Sequence, residues 1–397
     1  LNGDKLLARE SCPSGASTGT NEALELRDRK KEYFGKGVNK AIENLNLMNN
    51  LMYLDKEKMT NLKELDLNIC KLDGTKLKKN LGGNTTTGLS YSFAAAGAEI
   101  LGMELFEYFN LIYKSKKDYK IPIPLVNILN GGKHAGGKLK IQEFMIMPKE
   151  DMDFPEMLMN ICNVYHNLKK ILVNKYGLSA KNLGDEGGFA PQLNSPDEAL
   201  NVLEEAIEYS GLEVGVDMFI ALDCAASEYF NERLDFKYEI EEGKFLDTME
   251  LVDYYCKLVE RHPSLKSIED PFDEFDYEGW IEFTKRMSDK IMIVGDDLFT
   301  TNYEIIKEGL EKKYANALLL KVNQIGTISE AVEAANLIFE NNMNVIVSHR
   351  SGETTSSLIA DLAVGIGAKY IKIGAPARGE RVVKYNRLLQ IYEKIKK

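Results

Sequence analysis

The chain has 397 residues, 44% of them apolar, enough for two domains or for one large barrel with an added module. Its formal net charge of −11 argues against nonspecific binding to DNA or RNA, which rests on lysine and arginine meeting phosphate. No apolar stretch approaches the roughly 20 residues of a membrane span. The five cysteines (Cys12, Cys70, Cys162, Cys224 and Cys256) form no CxxC pair, so they read as buried, reduced thiols of a cytosolic protein.

In chain order, Asn2-Gly3-Asp4 reads as a turn and Lys5-Leu6-Leu7-Ala8 as an extended segment. The chain enters as though in the middle of a sheet, so a trimmed N-terminus with its first strands upstream is expected. A small-residue loop, Ser14-Gly15-Ala16-Ser17-Thr18-Gly19, precedes helical stretches rich in Lys, Asn and Leu. The segment Gly82-Gly83-Asn84-Thr85-Thr86-Thr87-Gly88 then leads into an alanine-rich helix near Ala94 to Ala98. The charged Lys114-Ser115-Lys116-Lys117-Asp118 reads as a linker. One unit is therefore expected over 1–118 and a second over 119–397, opened by Ile121-Pro122-Ile123-Pro124, whose prolines disfavour helix in the residues before them.

From there helices and apolar strands alternate to the end, the signature of β/α architecture. One helix is capped by Ser195, starts at Pro196 and places Glu198 for a capping box. Its stripe is Leu200, Leu203 and Ile207, with Val202 and Ala206 beside it; Gly211 ends it, and the strand Met218 to Leu222 delivers Asp223. Five more apolar runs end alike, on Glu269, Asp296, Lys321, His349-Arg350 and Lys372, spaced 23 to 28 residues apart. Each step is about one strand, one helix and two loops. Parallel strands buried on both faces read as continuous apolar runs, and in a β/α barrel the chemistry sits where strands end. The expectation is an α/β enzyme built on a TIM-like barrel whose ionisable groups converge on one mouth.

Asp223, Glu269 and Asp296 offer three hard oxygen ligands, suited to a magnesium ion that keeps some waters for substrate. Helix caps or lysine pairs are the ordinary alternative. Lys321 and Lys372 lie among apolar neighbours. Lost solvation and a second lysine would both lower a lysine's pKa, toward that of a base near neutral pH. Their alternative is a pair of structural salt bridges with the same carboxylates. Ser348-His349-Arg350-Ser351-Gly352 gathers a guanidinium, hydroxyls and backbone amides, a plausible phosphate cradle. Two more glycine-rich loops, Asn130 to Gly137 with His134 and Gly184 to Gly188 with Asp185 and Glu186, join Ser14 to Gly19 as candidate lids. His166 and His262 read as structural.

Together these motifs resemble the enolase family, from about Lys5 to the last residues. The matching stretches include Pro13 to Gly19, Glu22-Ala23-Leu24-Glu25-Leu26-Arg27-Asp28, Leu129-Asn130-Gly131-Gly132, Gln142-Glu143-Phe144-Met145 and Gly184-Asp185-Glu186-Gly187-Gly188. Ser267 to Phe272, Gly295-Asp296-Asp297-Leu298, Leu320 to Thr327, Ser348 to Thr354 and Gly374-Ala375-Pro376-Ala377-Arg378 complete them. The resemblance implies an N-terminal α+β domain before the barrel, and a reversible dehydration of 2-phosphoglycerate to phosphoenolpyruvate through an enolate. It implies that Lys321 is the base taking the C2 proton and Glu186 the acid at the C3 hydroxyl, with Glu143 beside it. Asp223, Glu269 and Asp296 would hold a first Mg2+, and Ser17 would help hold a second. Arg350 and Ser351 would meet phosphate, His349 and Lys372 the substrate carboxylate and hydroxyl, and His134 would sit on a second lid. A cytoplasmic homodimer or higher homo-oligomer is implied as well, and composition adds no membrane span and no nucleic-acid partner.

The sequence departs from the family pattern in four places. An opening Asp-Ser-Arg-Gly-Asn-Pro-Thr segment is absent, and the C-terminus stops early at Lys396-Lys397. Thr355-Ser356-Ser357 stand where the family continues with two acids, and Asn84 to Gly88 where it has small apolar residues. Two other readings compete with a glycolytic enzyme. A superfamily relative acting on another acid is disfavoured by Arg350 and Ser351. Surface binding of plasminogen, which some enolases achieve through C-terminal lysines, would use Lys394, Lys396 and Lys397, although such lysines are ordinarily just a solvated end.

Overall fold

The computed structural model describes residues 7–15, 18–51, 59–113, 119–231 and 237–396, without the side chains of residues 49–51, 133 and 134. The turn at 2–4 and the linker at 114–118 lie outside the described residues. So do the first residues of the extended opening; its described part, Leu7-Ala8, forms no strand.

The apolar runs become strands because each is buried on both faces. The strands are β1 (Ile123–Asn130), β2 (Glu143–Pro148), β3 (Met218–Asp223), β4 (Phe230–Asn231), β5 (Lys237–Glu241), β6 (Lys244–Leu246), β7 (Leu265–Glu269), β8 (Met292–Gly295), β9 (Ala317–Leu320), β10 (Asn344–Ser348) and β11 (Tyr370–Lys372). Eight close into a barrel in the order β1-β11-β10-β9-β8-β7-β3-β2, while β4, β5 and β6 form a small sheet outside it. The barrel is not wholly parallel: β2 runs antiparallel to both β1 and β3. The segment joining β1 to β2 holds only the short helix Gly132–Ala135, so the chain doubles back instead of making the long crossover that parallel pairing needs. This reversal puts the start of β2 at the face where other strands end, with Glu143 in register with Asp223 and Asn130.

Helices cover the barrel. Pro196–Tyr209 is capped by Ser195, whose side chain accepts the Glu198 N–H, and it buries Leu200, Leu203 and Ile207. The expected capping box does not close. Glu198 is drawn instead to the Asn194 N–H at 2.8 Å and the Tyr176 hydroxyl at 2.9 Å. Gly211, at φ +78°, takes the left-handed turn after this helix that side chains disfavour. All five cysteines are free, but only Cys224 and Cys256 are buried; the other three are half-buried. No helix among the described residues is long and apolar enough to cross a membrane.

Among the described residues before the barrel, 7–31 are irregular and the α-helices are Asn39–Leu51, Leu62–Asp73, Gly83–Leu101 and Leu105–Tyr113. The Gly-Thr segment does not precede the third of these; it forms its first turns. Thr85, Thr86 and Thr87 are buried there, and their hydroxyls donate to the carbonyls of Ala41, Gly83 and Gly326. Glycine and threonine are poor helix formers, so this start is held by packing rather than propensity.

The helical module docks on the segment that follows Lys321. Ser90 Oγ accepts the Ile328 N–H, Asp66 accepts the Ser329 N–H, both at 2.9 Å, and buried Lys78 pairs with Glu330 at 2.8 Å. The departure at Ser356 is used as well, its hydroxyl donating to Glu10 at 2.6 Å. Of the C-terminal lysines, Lys394 pairs with Glu104 and Lys396 with Asp153, each at 2.9 Å, while Lys397 lies outside the described residues.

His262 ends the helix Thr248–Arg261 between two acids, Nδ1 lying 3.2 Å from Glu204 and Nε2 3.1 Å from Asp197. The Glu204 hydrogen bond outweighs burial, and with Asp197 it raises the imidazole pKa above the ordinary 6.5. A raised folded pKa means that the stabilisation is complete below the unfolded value and fades as pH rises through the folded one. Urea midpoints should therefore fall from pH 6 toward pH 8 in the wild type. His262→Leu should flatten that dependence and cost about 2 kcal/mol at pH 6; an unchanged slope would show that His262 is not its source.

Candidate active site

The barrel mouth collects what the strand ends deliver. Lys321 follows β9, and its Nζ lies 2.5 Å from Asp296, which follows the neighbouring β8. Lys372 ends β11 and reaches across the barrel, placing Nζ 2.9 Å from both Asp223 and Glu269 and 3.3 Å from Glu143. The three acids expected to gather around one ion are thus divided between two ammonium groups. Among the described residues, Asp270, Asp296 and Asp297 are the three acids whose oxygens come within 4.8 Å of one another.

The expected lowering of the Lys321 pKa is not found. Burial, the largest influence, presses it down with help from Arg350 and Lys372, but the surrounding acids, Asp296 first and Glu269 after it, leave the net direction up. Lys372 likewise overcomes its burial through Asp223, Glu143 and Glu269 and stands well above the ordinary value. Sequence context supplied the lowering causes but not the distance to a carboxylate.

Carboxylates nevertheless exceed cations here. Glu143 is fully desolvated, which with the charge of Glu186 pushes its pKa well up, and its Oε2 has no partner among the described residues. Burial and Asp296 push Asp297 to about 8, and burial and Asp297 push Asp270 well up. A surplus of buried oxygen donors is costly unless a cation compensates it. The donor set is all-oxygen and hard, and so fits a magnesium-like ion.

Glu186 behaves differently from Glu143. It lies on the loop after the helix Phe154–Tyr176 and accepts the Asn127 amide at 3.0 Å. Burial opposes its ionisation, yet His349, Lys372 and Arg381 hold its carboxyl well below the usual range. The two carboxyls are thus pushed in opposite directions, Glu143 up and Glu186 down. His349 is driven to about 3 by burial, with Arg381 adding to the effect, and so is neutral. Its Nε2 lies 3.5 Å from Glu186.

Arg350 points into the same mouth, gripped by Glu22 at 2.9 and 3.2 Å and by Asn323 at 3.3 Å. Ser351 lines the mouth beside it. The loop carrying them is stapled to the N-terminal segment by two hydrogen bonds between the backbones of Ser14 and Gly352, at 2.9 and 2.8 Å. Ser17 lies outside the described residues, as does the side chain of His134. Thr20, on the far side of the first loop, is tied to Glu274 by its hydroxyl at 2.7 Å.

Several residues of the site carried no expectation. Glu22 fixes Arg350. Gln324 Nε2 donates to Asp296 at 2.8 Å, while its backbone carbonyl accepts the Ala23 N–H at 2.7 Å. The Asp270 carboxylate accepts the N–H groups of Asp296 and Asp297, both at 2.9 Å, and so aims the end of β8. None of the three sits at the end of an apolar run. Asp270 alone had a local signal, lying one residue beyond Glu269.

Similarity to known proteins agrees with this arrangement. The family description "Enolase, C-terminal TIM barrel domain" matches residues 118–397, and "Enolase, N-terminal domain" matches residues 1–109. An enolase of Thermococcus gammatolerans is 48% identical over 391 residues, covering 98% of this chain and 89% of that protein. An enolase of Methanosarcina acetivorans is 50% identical over 392 residues, covering 98% and 88%. An enolase of Methanocaldococcus jannaschii is 48% identical over 383 residues, covering 96% and 87%. With matches of this extent and a barrel mouth built as described, the chain belongs to the enolase family.

Proposed function

We propose that this enolase works with two Mg2+ ions and divides the chemistry among the mouth residues as follows. As an enolase it is a hydro-lyase of glycolysis, interconverting 2-phosphoglycerate and phosphoenolpyruvate. The observation that carries the metal is the surplus of buried carboxylate. Asp223, Glu269 and Asp296 would hold the first ion, and Ser17 would help hold the second with the substrate phosphate. Removing a proton beside a carboxylate gathers two negative charges on one group; bound divalent ions offset that charge, a strategy general to the wider superfamily rather than derived from these distances.

Lys321 takes the C2 proton. Asp296, with Glu269, favours its protonated form here. With both acids engaged as ligands, burial, Arg350 and Lys372 would remain, and all three favour the neutral amine that a base requires. Glu143 and Glu186 hold one proton between them, and the pair delivers it to the departing C3 hydroxyl. Arg350, pre-oriented by Glu22, meets phosphate with Ser351, while His349 and Lys372 face the substrate carboxylate and hydroxyl. His134 closes from the second lid. We assign residues 1–118 to the N-terminal domain and 119–397 to the barrel, and place the enzyme in the cytoplasm as a homodimer.

The direct test is phosphoenolpyruvate formation from 2-phosphoglycerate with Mg2+ and again with excess chelator; activity is expected only in the first. Lys321→Ala should lower kcat at least about 10³-fold while keeping the wild-type fold. Normal turnover in that variant would sink the mechanism. Saturating Mg2+ at about 100 times its Kd should stabilise the protein by about 2.7 kcal/mol, read as a rise in Tm. Glu269→Gln should lose most of that rise; a full rise would remove Glu269 from the ligand set.

A further inference from the structure

Behind the mouth, the helix Gly379–Ile395 sends one arginine inward. Arg381 is wholly buried. Its Nη1 donates to His349 Nδ1 at 2.5 Å and to the Arg350 carbonyl at 2.7 Å. Its Nη2 donates to the Ser351 carbonyl at 2.7 Å and to the Asp185 carbonyl at 3.4 Å. The side chain reaches this place because residue 374 is glycine. At φ +79°, a Cβ there would stand 2.8 Å from the Glu186 carbonyl and 2.9 Å from Arg381 Cδ.

A guanidinium has only donors and stays charged in proteins. Facing it, His349 Nδ1 must present a lone pair. In a neutral imidazole the proton is then on Nε2. That nitrogen is buried and faces the mouth; it makes no hydrogen bond among the described residues, although the Glu186 carboxylate stands 3.5 Å away. A buried donor left unpaired costs free energy until an acceptor arrives.

We infer that Arg381 is a positioning residue that fixes the tautomer of His349, so that His349 meets the substrate as a neutral Nε2–H donor and exchanges no proton with it. The inference rests on the assignment of His349 to the substrate and adds the form in which it acts. The same guanidinium holds the backbone of Arg350 and Ser351 and reaches the loop that carries Glu186. One planar group thereby aligns the phosphate contacts and the acid loop. Lysine, a point donor, would not reproduce that fork.

The chain has four histidines, so protein labelled with 15N in the imidazole rings gives few resonances, and a His349→Gln variant assigns those of His349. In substrate-free wild type at neutral pH, Nδ1 is expected unprotonated and Nε2 protonated. Protonated Nδ1 would overturn the inference whether or not His349 touches substrate. Arg381→Lys should replace the single tautomer by a mixture and lower kcat roughly tenfold or more; a variant that keeps the pure tautomer would overturn the role of Arg381. Should Arg381→Lys not fold, the wild-type spectrum still decides. His349→Gln, whose amide donates in place of Nε2–H, should keep about a tenth of the activity, whereas His349→Ala should lose roughly a hundredfold or more. Equal losses in both would mean that the ring exchanges a proton. A correct tautomer with a kinetically silent His349→Ala would instead overturn the assignment of His349 to the substrate.

Discussion

The ionic balance at the barrel mouth is the constraint on which the rest of this structure depends. Apolar strands deliver carboxylates to a place with little water, where each unpaired charge is expensive. Two ammonium groups hold the arrangement together in different ways. Lys321 meets the acid of the adjacent strand, β8, whereas Lys372 spans from β11 to acids on the far side of the ring, at β3 and β7. The first contact is local and separable. The second is a tie across the mouth, shared among Asp223, Glu269 and Glu143. That difference suits the proposed roles, a proton acceptor at Lys321 and a fixed cation facing the substrate at Lys372.

The same balance explains why two nearly identical carboxyl groups part company. Glu143 stands at the start of a strand among acids, and Glu186 on a loop facing His349 and Arg381. Pushing the pKa values of neighbours apart is how one site keeps a donor and an acceptor ready at a single pH. Arg381 contributes twice, as a charge near Glu186 and as the partner of His349, although it lies on the last helix of the chain.

Much of the barrel was legible in sequence because parallel strands announce themselves as apolar runs that stop at a polar residue. Glu269, Asp296, Lys321, His349 and Lys372 all sit at such stops. Glu143 does not, since β2 is reversed and brings its first residue to the mouth; only family resemblance pointed to it. Glu22, Gln324 and Arg381 were illegible for another reason. They act on residues 328, 28 and 32 positions away, through hydrogen bonds that no local pattern encodes. The pKa of Lys321 came out with the wrong sign because burial can be read from flanking leucines, whereas a 2.5 Å contact with Asp296 cannot. The start of the helix at Gly83 escaped notice because its glycine and threonines argue locally against a helix, and tertiary contacts override them.

The docking of the helical module onto the segment after Lys321 carries a consequence for how this protein can change. Ser90, Asp66 and Lys78 anchor residues 328 to 330, and Ala23 anchors Gln324, which in turn holds Asp296. The mouth is therefore composite: Asp296 and the segment after Lys321 are steadied by a module that contributes little to the barrel wall. A foreign module grafted in its place would inherit a complete barrel and an unmoored segment after Lys321. Recombination between relatives would then favour exchanges that carry the two parts together, and drift on one side of the junction would call for matching drift on the other.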